Sequence, residues 1–563
     1  MDPTHSDLPL PMTRAEMARR GWDQLDVLLV SGDAYVDHPS FGAALLGRWL
    51  QAHGYRVGVV AQPRWDDTSD LTRMGPPHLL VGITAGALDS MLSIYTAFRA
   101  RRRTDAYASG GRTGLRPRRA SIVYANLARR AFPGVPIVLG GIEASLRRAT
   151  HYDFWSDGLR RSILLDARAD LLLHGMAERT LLELVQRLDR GQPDPLHDLP
   201  GSVRVGHASQ LPPGADPLPL PSHEAILQDP MALMQATLAL ERQAHQGTRW
   251  AIQRCGDRDL LLGPPAAPLT TAELDRLYTL PFTREPHPSY TEPIPAAEMI
   301  RFSVTSHRGC VGGCSFCSLS LHQGRTIASR SADSITQEVA RMTRHPAWRG
   351  SVTDVGGPSA NMYGARCTGD VTTCERVSCL FPRPCKELAS GQSELTALHL
   401  GLARLPGVRH VRVASGVRHD LALMCPEFLE LLVGQLTGGQ LKLAPEHISS
   451  RVLKLMRKSS LQPFEEFLER FGQLSQQAGR RQFVVPYLMS AFPGCTDDDM
   501  RELTAWLRAR GWHPQQVQCF VPTPGTVATA MFYSERDERG HPIPVARTDA
   551  ERLRQHRMLA NRG

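Results

Sequence analysis

Cys310, Cys314 and Cys317 are spaced C-x3-C-x2-C within residues 305–317, among Gly309, Gly312 and Gly313. Thiolates this close in sequence can wrap one soft-metal centre. Iron in clusters prefers tetrahedral sulfur ligation, and a glycine-rich loop lets backbone amides turn toward the sulfurs. Three cysteines rather than four leave one iron of a four-iron cluster without a protein ligand, and an open metal position marks a catalytic rather than a structural centre. Zinc completed by His307 or His322 is the alternative. A second group, Cys367, Cys374, Cys379 and Cys385, lies in a segment rich in Arg, Pro and Thr. Four thiolates suit either tetrahedral zinc or an all-cysteine iron–sulfur cluster, and spacing does not choose between them.

The elements that must position these groups fall into two α/β stretches. Short apolar runs at residues 26–30, 57–60, 79–84, 120–126, 135–141 and 171–175 alternate with amphipathic segments, which predicts a Rossmann-like parallel sheet over residues 1–186. Ligands of such sheets bind beyond the carboxyl ends of the strands, which nominates Asp33, Asp37, His38, Gly140, Gly141 and Glu143 as a site rim. Residues 187–295 are rich in Pro and Gly and read as a linker and wrapping segment. Strands are then expected at 300–305, 351–355, 408–414, 440–443, 482–489 and 517–521, with helices between them. Six βα units predict a partial (βα)6 barrel of the TIM type over residues 296–533, its site at the carboxyl ends of the strands. Residues 534–563 read as a polar tail.

At 563 residues, with 42% hydrophobic and 21% charged positions, the chain is long enough for several packed domains and has ordinary globular composition. No apolar run reaches the roughly 18 residues that would span a bilayer. No membrane partner is expected, and no export signal is read at the start, so a cytoplasmic location with reduced thiols is expected. The net charge is +9, but only four of the 65 basic residues are lysines, so the charge reads as compositional bias. Arg101, Arg102, Arg103, Arg116, Arg118 and Arg119 alone point to a nucleic-acid or phosphate-bearing partner.

The C-x3-C-x2-C run with Phe316 before its last cysteine resembles the signature of radical S-adenosylmethionine (radical SAM) enzymes, which also use a partial βα barrel. The segments 277–284, 287–290, 322–325 and 36–42 resemble the YgiQ family of radical SAM proteins, for which the resemblance supplies no substrate. It implies that Cys310, Cys314 and Cys317 hold a [4Fe-4S] cluster whose fourth iron chelates S-adenosylmethionine, that Phe316 packs beside the adenine, and that Gly356 and Gly357 contact the methionine end. At the glycine turn the family's acidic residue is missing, Pro358 standing next. The implied activity is generation of a 5′-deoxyadenosyl radical acting on an unknown substrate, fed by an unidentified flavodoxin- or ferredoxin-like electron donor. A methylthio- or methyltransferase acting on RNA or protein is the second reading, and a non-catalytic iron–sulfur or zinc protein on nucleic acid the third. Residues 170–180 resemble the end of a cobalamin-binding domain, but the lower-ligand pattern Asp-x-His-x-x-Gly is missing at Asp37 and His38, so cobalamin is not expected. No catalytic side chain is singled out.

Overall fold

Val27–Ser31 (β1) is buried at every position, as a strand covered on both faces must be. It pairs in parallel with Val57–Ala61 (β2) on one side and Leu80–Thr84 (β3) on the other. Ile137–Gly140 (β4) and Leu171–Leu173 (β5) extend the parallel set. Ser202–Gly206 (β6), Pro217–Pro219 (β7), Trp250–Cys255 (β8) and Arg258–Leu262 (β9) complete a nine-stranded sheet of order β2-β1-β3-β4-β5-β6-β9-β8-β7. The computed structural model describes residues 8–514 and 516–560; residues 1–7 and 561–563 of the two terminal spans lie outside it. The chain divides into two compact units, Met1–Leu269 with Arg276–Arg301 and Thr270–Asp275 with Phe302–Gly563.

Two expectations are corrected in the first unit. Residues 120–126 lie in the helix Ala120–Ala131, not in a strand, and bury Ala120, Ser121, Tyr124, Ala125, Leu127 and Ala128. Ile122 and Val123 suggested a strand, yet the buried positions recur at helical spacing and alanine favours the helix. The segment 187–295 is no linker: it supplies β6 to β9 and the helix Pro230–Gln246. Its Pro217 and Pro219 fall on the edge strand β7, where a proline lacking its N–H removes no ladder bond on the open side.

In the second unit Ser303–Thr305 pairs in parallel with Asp354–Gly356, so the loops after Thr305 and Gly356 leave at the same end. Ser351–Val352 pairs in parallel with His410–Val411. Gln440–Glu446, Phe483–Ser490 and Gln516–Cys519 form a three-stranded parallel sheet. Helices Ala332–Met342, Gln392–Ala403, Gln462–Gln477 and Asp497–Ala509 alternate with these strands. Val304, Val352, Val355, Leu395, Phe464 and Phe467 belong to one buried apolar cluster that the strands and helices share.

The closing segment is polar but packed. Helix Asp549–Ala560 buries Arg552 and Gln555. Arg552 Nη2 donates to the Phe520 carbonyl at 2.6 Å, and Gln555 accepts from the Ala491 N–H and donates to the Cys495 carbonyl. These side chains satisfy backbone groups left unpaired where two strands end, which is why a polar sequence docks here.

Candidate metal centre

The cysteine loop leaves the strand Ser303–Thr305 and is held from several sides. Its Cys310 N–H donates to the Gly324 carbonyl (3.1 Å), Ser315 N–H to the Met456 carbonyl (3.1 Å) and Ser315 Oγ to the Leu455 carbonyl (2.7 Å). Gly309 has φ +90°, and a Cβ there would stand 2.3 Å from the Thr326 carbonyl oxygen. A Cβ on Gly312 would lie 3.3 Å from Cys310 Sγ and 3.8 Å from Cys314 Sγ, so the loop carries two of its thiols tight against this glycine. Burial, then the neighbouring Cys310 and Cys314 sulfurs, pushes the Cys317 thiol up to about 12. Burial and Cys314 likewise raise Cys310. Sulfurs that repel one another's charge in a buried loop fit a cationic iron body that would take them as thiolates. Among the described residues, no three His, Cys, Asp or Glu side chains converge as one single ion requires.

Gly356 ends the paired strand and Gly357 follows it. A Cβ on Gly357 would meet the His307 carbonyl oxygen at 2.6 Å and His307 Nε2 at 2.7 Å, so the two loops touch backbone to backbone and only glycine fits. His307 is buried, bonded through Nδ1 to Ser306 Oγ, and burial lowers it to about 4. Phe316 is half-buried and meets Phe492 edge-on at 6.1 Å.

A cation stands beside the loop. Arg418 Nη1 lies 3.8 Å from Cys314 Sγ. Its backbone is clamped by Asn361, whose Oδ1 accepts from the Arg418 N–H (2.8 Å) and whose Nδ2 donates to the Arg418 carbonyl (2.9 Å). Its guanidinium forks onto Asp420, with Nε to Oδ1 at 3.0 Å and Nη2 to Oδ2. Burial would lower Arg418, but Asp420 and the Cys314 sulfur raise it overall. Neither Asn361 nor Asp420 stood out in sequence; an Asp two residues past an Arg at a strand end was the available signal. Glu446, at φ +68°, also faces this region: burial raises its carboxyl, against the pull of Lys458 at 3.6 Å. His447 Nε2 contacts Cys495 Sγ at 3.6 Å while its Nδ1 accepts from the Ile448 and Ser449 N–H groups. Burial lowers His447 to about 4 and raises Cys495, so both are neutral and this pair is not an activated nucleophile.

Of the second cysteine group, Cys367 is exposed and Cys374, Cys379 and Cys385 are half-buried. In the first unit the expected rim residues are mostly internal ties. Asp37 is fully buried, accepting from Arg48 Nε (3.1 Å) and Nη2 (2.6 Å), Tyr35 Oη (3.1 Å) and the Thr283 N–H (2.9 Å). His38 is buried against Arg284, whose Nη1 stands 3.0 Å from its Nε2. Asp33 pairs with Arg116 at 2.7 Å, and Glu143 accepts from the Ser90 and Ser121 N–H groups. Removing one partner of a buried pair strands the other charge. Asp37→Ala is therefore expected to destabilise the first unit by about 3–5 kcal/mol, read as a lowered urea midpoint.

The comparisons with known proteins fit this site. A family model described as "Radical SAM N-terminal" matches residues 9–303, and one described as "Radical SAM superfamily" matches residues 304–507. The UPF0313 protein of Geobacter sulfurreducens is 49% identical over 555 residues, covering 98% of this chain and 92% of that protein. That of Thermotoga neapolitana is 45% identical, covering 96% of each. The chain belongs to the UPF0313 family of radical SAM proteins. A radical SAM domain implies a [4Fe-4S] cluster and S-adenosylmethionine. Among solved structures, the radical SAM methyltransferase TsrM from Kitasatospora setae, with cobalamin and a [4Fe-4S] cluster bound, matches with TM-score 0.53 at 16% identity over 94% of this chain and 84% of that one. The cobalamin-dependent radical enzyme OxsB, with aqua-cobalamin bound, matches with TM-score 0.50 at 11% identity over 92% of this chain and 57% of that one. The expectation against cobalamin is corrected on these two: the chain shares its fold with proteins whose structures contain cobalamin, so the missing Asp-x-His-x-x-Gly pattern does not decide against it. Among the described residues no helix is long and apolar enough to cross a membrane.

Proposed function

We propose that this UPF0313 protein is a radical SAM enzyme in which Cys310, Cys314 and Cys317 hold a [4Fe-4S] cluster and the open iron takes S-adenosylmethionine. The observation that carries the reading is the glycine loop that gathers three half-buried thiols beside the Gly356–Gly357 turn. When bound, this pair supplies reductive cleavage of the sulfonium to methionine and a 5′-deoxyadenosyl radical. The chain's own residues bind and position. The Gly356–Gly357 backbone lines the end where the methionine portion would lie, and Phe316 offers an aromatic face for the adenine. Arg418, fixed by Asn361 and Asp420, donates toward Cys314 Sγ. Within this reading the second unit, from Phe302 to about residue 533, is a partial (βα)6 barrel and the first a Rossmann-like domain, with a flavodoxin- or ferredoxin-like donor and a cytoplasmic setting that keeps the thiols reduced.

Anaerobic protein reconstituted with iron and sulfide, then given S-adenosylmethionine and dithionite, is expected to release 5′-deoxyadenosine. Full cluster content with no such product would sink the reading.

A second reading, methyl transfer to RNA or protein, is favoured by the fold shared with TsrM, whose structure contains cobalamin. His38 is committed to Arg284 and Ser40, so a cobalamin here would lack that imidazole as a ligand. Equilibrium dialysis against hydroxocobalamin tests it: no retention of the corrinoid would count against this second reading.

A further inference from the structure

The loop carrying Cys374, Cys379 and Cys385 packs against the triad loop. Cys379 N–H donates to the Val311 carbonyl (3.0 Å), Ser378 Oγ to the Gly312 carbonyl, and a Cβ on Gly313 would fall 2.0 Å from the Val377 carbonyl oxygen. Cys385 N–H donates to the Cys379 carbonyl at 2.7 Å, folding the loop back on itself. Arg376 ties down the same loop through the Ser378, Phe381 and Arg383 carbonyls. A short ladder pairs Cys367 with Leu388, which returns the fourth cysteine to a point three residues past Cys385.

One side chain in this lobe is out of balance. Arg325 is 6% exposed. Its Nη2 lies 3.5 Å from Cys379 Sγ and its Nη1 donates to the Arg376 carbonyl, but its buried Nε has no hydrogen-bond partner. Among the described residues no carboxylate lies within ion-pair distance of it. A buried guanidinium left with neutral thiols and a carbonyl would be an uncompensated charge. The balance closes if the sulfur it faces belongs to an anion, and an all-cysteine metal centre is a compact anion whose sulfurs accept such bonds.

We propose that Cys367, Cys374, Cys379 and Cys385 form a second metal–thiolate centre, net negative, with Arg325 as its counter-charge. Since these side chains do not converge as one single ion requires, an iron–sulfur cluster, whose ligating sulfurs stand farther apart, fits the loop better than one tetrahedral zinc, and the test separates them. The inference does not depend on what the triad does, so the test removes the triad. The Cys310→Ala/Cys314→Ala/Cys317→Ala chain, supplied anaerobically with iron, sulfide and zinc, is expected to keep one tightly held centre per chain, seen by metal analysis. Iron with a cluster absorption or zinc without one identifies the occupant. Adding Cys379→Ser should remove it, and Arg325→Gln in place of that change should weaken metal affinity roughly ten- to a hundredfold, as loss of an outer partner does. A metal-free but folded triad variant overturns the proposal while leaving the triad reading untouched. Should that variant not fold, Cys379→Ser/Cys385→Ser in the otherwise natural chain decides. Metal content lower than the natural chain's supports the second centre, and unchanged content overturns it.

Discussion

Cys314→Ala is expected to lower 5′-deoxyadenosine formation by more than about a hundredfold, a loss that removing a mere outer-shell partner of a metal ligand already approaches. The reason is geometric. Cys314 is the middle thiol of the loop, 3.8 Å from both the Gly312 Cβ position and Arg418 Nη1, and no other side chain of the triad loop carries a thiol that could replace it. A cluster with two protein ligands would be labile, and its four-iron absorption should fall with the activity. The contrast is with Cys379→Ala. That thiol faces Arg325 rather than Arg418, and it sits in a different loop, so product formation by the reconstituted protein is expected to persist. Cleavage at natural rates by the Cys314→Ala protein would remove the triad from the chemistry.

How legible the molecule is depends on whether a signal is local. The triad is legible because the three cysteines of the proposed cluster fall within eight residues, with glycine around them. The five parallel strands β1 to β5 are legible in position because a strand buried on both faces must be a continuous apolar run, as Val27–Ser31 and Leu171–Leu173 are. Local reading fails where the partner is distant. Pro217 and Pro219 look like linker residues until Trp250–Cys255 is beside them, and Gln555 looks like tail until the Ala491 N–H and Cys495 carbonyl appear more than fifty residues away. The same holds for charges. Asp37 and Asp33 looked like a ligand rim at strand ends, but Arg48 and Arg116 occupy them, and only the fold brings Arg116 across to Asp33. Around the metal loop, Asn361 and Arg325 do their work through backbone and sulfur contacts 50 or more residues away, which no spacing rule encodes.

Asp420→Asn is expected to destabilise the second unit by about 3–5 kcal/mol, because it strands a buried cation. Both partners are sequestered, the Arg418 and Asp420 side chains being 13% and 6% exposed. Burial alone would raise the Asp420 carboxyl, but Arg418 outweighs it and holds the group below the ordinary carboxylate range. A carboxyl depressed in the folded state contributes stability that is complete above its unfolded value of about 3.9 and is lost as pH falls toward the folded value. The difference in urea midpoint between the natural chain and Asp420→Asn should therefore be constant from about pH 7 down to about pH 4 and narrow below that. Removing the cation as well relieves the penalty, so Arg418→Met/Asp420→Asn should be less destabilised than Asp420→Asn alone, giving a coupling of opposite sign to simple additivity. The double change also removes the donor facing Cys314 Sγ, so it separates stability from chemistry: it should fold better than the single variant while its cluster absorption differs from that of the natural chain. A midpoint for Asp420→Asn equal to the natural chain's at neutral pH would mean that Arg418 finds its counter-charge elsewhere.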